Sequence, residues 1–118
     1  MHGVSESLDL SSLIGLEVTL ICLGSHQIQI ILLPEGLISI ECPFELIAPS
    51  GDMIDNGEPQ SLAVGNHLGA LLESKIDSAT PIPPSTVEVH FDCGHLLRLF
   101  DDSEQYESFQ IYPGPIVV

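Results

Sequence analysis

The chain has 118 residues, enough for one domain with a sizeable core, and its 17 Asp and Glu stand against only Lys75 and Arg98, for a net charge of -15. Such a surface repels nucleic acid and anionic membranes and leaves an anionic substrate little to hold it, which disfavours nucleotide and phosphoryl chemistry. The 44% hydrophobic content excludes an acidic disordered chain, which would lack apolar residues to bury.

Met1 to Asp9 is polar and aperiodic, so residues 1–10 are expected to be poorly ordered. Glu17 to Leu23 alternates with the period of a strand and is expected to turn Val18, Leu20 and Cys22 inward. Gly24-Ser25-His26 is a turn, and Gln27 to Leu33 is a second strand with Ile28, Ile30 and Leu32 inside. After Pro34-Glu35-Gly36, Leu37 to Ile47 reads as one long strand presenting Ile38, Ile40, Cys42, Phe44 and Leu46 to the core. Pro43, which has no N–H for a ladder, implies an edge or a bulge there.

Pro49 to Gln60 is rich in Pro, Gly, Ser, Asp and Asn and is expected to be a loop carrying Asp52, Asp55 and Glu58. Ser61 to Ser74 holds the one expected helix, with Leu62, Leu68, Leu71 and Leu72 apolar and Asn66 as N-cap. Lys75 to Ala79 is a brief strand, and Thr80 to Ser85 an extended connection. The clearest local signal is Thr86 to Phe100. Val87, Val89 and Phe91 alternate with Glu88, His90 and Asp92, Asp92-Cys93-Gly94 supplies a turn, and the alternation resumes at Leu97 and Leu99. That is a β-hairpin. Asp101 to Gln105 is an acidic turn, Tyr106 to Tyr112 a last strand, and Ile116 to Val118 an apolar tail suited to pairing with an exposed edge.

The pattern predicts a mostly β, α+β single domain over residues 1–118, an antiparallel sheet or partly open barrel of about six or seven strands with one short helix. An internal echo runs through it. Leu13-Ile14-Gly15-Leu16-Glu17-Val18 is matched by Leu71-Leu72-Glu73-Ser74-Lys75-Ile76, and turn glycine Gly36 by Gly94 at the same offset, which suggests a duplicated β-rich unit.

For chemistry, His90-Phe91-Asp92-Cys93-Gly94-His95 packs four possible metal ligands into six residues but matches no standard zinc spacing, so no metal and no cofactor are expected. No cysteine or serine sits in an activating motif, so the chain is not expected to be an enzyme. Three widely spaced cysteines fit reduced thiols, and no basic start followed by an apolar run marks a leader, which places the protein in the cytoplasm. Asp101, Asp102, Glu104, Tyr106 and Glu107 are the leading candidates for partner contact, since they combine carboxylates with an aromatic anchor; Asp52, Asp55 and Glu58 follow.

The succession Gly15-x-x-Val18, Ile40-Glu41-x-x-Phe44, the hairpin turn, and Asp101-Asp102 followed by Tyr106-Glu107-Ser108-Phe109 resembles a family of small uncharacterised bacterial β-rich domains. That resemblance transfers no catalytic residues. In size and acidity the chain is also similar to immunity proteins of bacterial polymorphic toxin systems. This implies an antitoxin that neutralises a cognate basic toxin, such as a nuclease, by direct stoichiometric binding through an acidic surface. The alternative is a self-associating structural or accessory domain, a homodimer joined through apolar outer positions such as Ile31, Leu33 and Leu96.

Overall fold

The computed structural model describes residues 10–24, 27–57, 67–83, 85–100, 109–112 and 116–117. Among them are ten strands: β1 (Glu17–Leu23), β2 (Ile28–Leu33), β3 (Leu37–Ile40), β4 (Phe44–Ile47), β5 (Met53–Gly57), β6 (Ile76–Ile82), β7 (Thr86–Phe91), β8 (Leu96–Phe100), β9 (Phe109–Tyr112) and β10 (Ile116–Val117). The first sheet is the meander β1-β2-β3, extended beyond β3 by β9 and β10; the second runs β5-β4-β8-β7-β6. Every pairing is antiparallel. The chain is mostly β, as expected, and the sheets do not close into a barrel. The strands exceed the expected six or seven because the long segment Leu37 to Ile47 is split between the sheets and two short edge strands are added.

Pro43 sits where that segment crosses from β3 to β4, neither on a sheet edge nor in a bulge. The missing N–H is harmless there, because the chain is between ladders and Pro43 contributes only its C=O, which accepts from Phe100 N–H at 3.1 Å. The inward alternation survives the crossing, with Ile38, Ile40, Cys42, Phe44 and Leu46 all buried. They join Val18, Ile28, Ile30, Leu32, Val87, Val89, Phe91, Leu97, Leu99 and Ile111 in one aliphatic core between the sheets.

Three expectations are corrected. The register of β1 slips between Val18 and Leu20, so the β-bulge turns Leu20 and Cys22 outward, both exposed, and brings Ile21 against the core instead. Residues 53–57, expected as loop, form β5 against β4; an Asp-Asn-Gly sequence is tolerated because this strand is a sheet edge. The described part of the expected helix is a 3-10 turn, Leu68–Leu71, whose Leu68 and Leu71 are buried while Leu72 is exposed; Asn66 and Leu62 lie outside the described residues. A second such turn, Ser11–Leu13, precedes β1.

The internal echo is structural in the strands, but the turn glycines do not correspond. Leu32 N–H donates to Gly36 C=O at 2.9 Å and its counterpart Phe91 N–H to His95 C=O at 3.0 Å, so Gly36 matches His95 and not Gly94. Val18 faces Leu32 as Ile76 faces Phe91, Ile28 faces Ile40 as Val87 faces Leu99, and Ile38 faces Ile111 as Leu97 faces Leu46. The bulge in β1 is answered by one between Ile76 and Ser78 in β6. Each half of the chain therefore places three strands in one sheet and two in the other. Where the halves meet, the hydrogen bonds also exchange in pairs. Gly15 N–H donates to Ile76 C=O at 2.8 Å and Glu73 N–H to Val18 C=O at 2.8 Å. Ile76 N–H donates to Leu16 C=O at 2.9 Å and Val18 N–H to Ser74 C=O at 2.9 Å. Glu17 and Lys75 face one another at the centre of this seam, on the pseudo-two-fold axis. Each 3-10 turn must then bend sharply into its first strand, and both bends use positive φ: +88° at Gly15 and +69° at Glu73.

Candidate recognition surfaces

The outer face of the second sheet carries the best-defined polar constellation. Strand register places Glu45 of β4, Arg98 of β8 and Glu88 of β7 in one row. Arg98 Nε donates to Glu88 Oε2 at 2.7 Å, and Nη1 donates to Glu45 Oε1 at 3.4 Å. The hydrogen bond to Glu88 raises the guanidinium pKa, desolvation opposes this, and Glu45 adds to the rise. Arg98 is thus held as a cation and neutralised by two half-buried carboxylates. His90 Nε2 stands 3.8 Å from Glu88 Oε1 at the margin of the same network.

One end of this sheet joins two turns. Gly94, with φ of +94°, lies so close to Pro49 that a Cβ there would stand 2.9 Å from Pro49 Cγ, which sets the β7–β8 turn against the β4–β5 turn. Exposed Asp52 accepts from Ser50 Oγ at 3.1 Å in the second of these turns. Asp92 is engaged by the seam: its N–H donates to Lys75 C=O at 2.8 Å, and its Oδ1 accepts from Lys75 N–H at 3.0 Å. Cys93 Sγ lies 3.3 Å from His95 Nδ1. The four candidate ligands of the hairpin are thus engaged separately, His90 beside Glu88, Asp92 with Lys75, and Cys93 with His95. Among the described residues no three of His, Cys, Asp and Glu converge on a point that could hold a metal ion.

Of the sequence-derived contact residues, Asp52 is exposed in its turn and Asp55 lies in β5 opposite Leu46. Asp101, Asp102, Glu104, Tyr106, Glu107 and Glu58 lie outside the described residues. Gly57, Phe44 and Leu99 share a row at one end of the second sheet. Glu35, Glu41, Glu73 and Asp77 are exposed elsewhere. The Glu45-Arg98-Glu88 row was missed by sequence reasoning. Its only local signal was that Glu88 and Arg98 occupy outward positions of one hairpin, and the contribution of Glu45 requires the β4–β8 pairing.

These features define a duplicated two-sheet β domain with acidic turns and a charge-neutralised cation on one outer face. Comparison of the chain with protein-family models, with curated proteins and with solved structures finds no match. No helix among the described residues is long and apolar enough to cross a membrane.

Proposed function

We propose that the chain is a cytoplasmic immunity protein, an antitoxin without catalytic activity that neutralises a cognate bacterial toxin domain by direct stoichiometric binding through an acidic surface. The observation that carries this reading is the disposition of charge. The sequence has two permanent cations against 17 carboxylates, and one of the two, Arg98, is already bound by Glu88 and Glu45. The large excess of carboxylates would steer a basic partner, accelerate its association and cover a cationic cleft. A nuclease is such a partner, because carboxylates can stand where its substrate phosphates bind. The same charge disfavours nucleic acid and anionic membranes as ligands.

The test is affinity capture from the native host with the tagged chain at moderate salt, followed by mass spectrometry. A stoichiometric basic protein whose activity is inhibited supports the proposal. If such a partner is found, replacing Asp101, Asp102 and Glu104 together by Lys should slow association and flatten its salt dependence; unchanged kinetics would remove that segment from the interface. Capture of no basic partner would count against the immunity reading as a whole.

A further inference from the structure

The duplication supplies an internal comparison. Each outward position on one sheet has a counterpart on the other, held by the same register. The pair Glu88 and Arg98 of the second sheet corresponds to Gln29 and Ser39 of the first, the pair His90 and Leu96 to Ile31 and Leu37, and Ser78, beside His90, to Leu20, beside Ile31. Every charged or ionisable member of this set on the second sheet is replaced on the first by an amide, a hydroxyl or an aliphatic side chain. The backbone plan is the same, so the fold does not impose the difference.

The outer face of the first sheet thus presents a cross-strand row of Leu20, Ile31 and Leu37, with Leu33 beside it; Leu20 is 53% and Leu33 47% exposed. The adjoining row is neutral. Its Ser39 is only 7% exposed and donates to Gln27 Oε1 at 2.7 Å, so that hydroxyl is already satisfied. Among the described residues, the carboxylates on this side are confined to its margins, Glu17 at the start of β1 and Glu41 just past the end of β3.

We propose that this face receives a second copy of the same chain, sheet against sheet about a two-fold axis. The argument for that occupant is electrostatic. A basic partner gains least where the described carboxylates are confined to the margins. A second copy carries the same charge of -15 and can approach closely only where few carboxylates meet. Packing the two first sheets together sends both charged second sheets to the far sides of the dimer. With sheets stacked ~10 Å apart, those faces are separated by well over the Debye length of ~8 Å at physiological salt. The interface is isologous, as closed dimers require.

The proposal is independent of the immunity reading and responds to salt with the opposite sign. Light scattering and sedimentation of the full chain should show a monomer–dimer equilibrium that tightens as salt rises, because screening removes residual repulsion; a complex with a basic partner would weaken. Cys22 is exposed on the proposed interface, opposite Gln29, whereas Cys93 is exposed in the β7–β8 turn of the second sheet. Maleimide labelling should therefore slow at Cys22 and not at Cys93 when the protein is concentrated, each thiol being compared with its own rate in dilute solution. Gln29→Glu installs the residue that the equivalent position, Glu88, already carries, so the fold should tolerate it, and circular dichroism would check that. It should weaken the dimer ~100-fold or more by burying an unpaired charge. A monomer at every concentration and salt would overturn the proposal. So would a dimer in which Cys22 keeps its dilute rate or which Gln29→Glu leaves unchanged.

Discussion

Gly94→Ala should be among the more damaging single-methyl additions to this chain, and its magnitude separates into two parts. Backbone strain is the first. At φ of +94° an L side chain is in a region that costs roughly 1–2 kcal/mol. Steric contact is the second. The new Cβ would lie 2.9 Å from Pro49 Cγ and 3.0 Å from Pro49 Cβ, and a proline ring cannot swing aside, so the two turns must part at a further ~1–3 kcal/mol. Reduced freedom of the unfolded chain returns about 0.5–1 kcal/mol. The net loss is about 2–4 kcal/mol, a large share of an ordinary domain's stability. Gly15→Ala is the control, since Gly15 has φ of +88° but nothing within 4 Å of its Cβ position. It should lose only about 1 kcal/mol. With no Trp in the chain, urea unfolding is best followed by circular dichroism, with the slope checked for constancy. At roughly 4 °C per kcal/mol the two variants should melt several degrees apart. Equal losses at Gly15 and Gly94 would refute the claim that the β4–β5 and β7–β8 turns brace one another.

Other positions give sharper signs than sizes. Arg98→Met retains the aliphatic stem but leaves Glu45 and Glu88 unpaired; urea titration should show a loss of about 1 kcal/mol, partly restored by adding Glu88→Gln, and no restoration would exclude residual carboxylate repulsion as its cause. Phe44→Ala, at the crossing between sheets where the ring is 1% exposed, should cost ~3–5 kcal/mol in thermal or urea unfolding and give the lowest melting temperature of the set. Glu73→Gly, which gives the second half the residue that the first half uses at Gly15, should leave stability unchanged or raise it by up to about 1 kcal/mol. Relief of the φ of +69° is offset by greater freedom in the unfolded chain, and a clear loss in the same titration would show that the Glu73 side chain makes a stabilising contact.

What could be read without the structure was whatever depends on near neighbours in the chain. Alternation in Thr86 to Phe100 is a two-residue period, and it located a hairpin with Val87, Val89, Phe91, Leu97 and Leu99 buried and Gly94 at positive φ in the turn. The same alternation carried the inward face of Leu37 to Ile47 through Pro43. Local echo sufficed for the duplication, because Gly15 and Glu73 stand at matching points of the two repeats. Tertiary structure decided everything that rests on which strand lies beside which. A bulge after Val18 reversed Leu20 and Cys22, since one extra residue moves every following side chain to the opposite face. A segment as polar as residues 53–57 became β5 because β4 offered it an edge. Arg98 met Glu45 only because the long third strand and the hairpin pair across the second sheet, in a contact between residues far apart in the chain. Register likewise places Gln29, Ser39 and Ile31 on the first sheet where the second has Glu88, Arg98 and His90. Composition fixes how much charge a chain carries, but pairing register determines which face carries it.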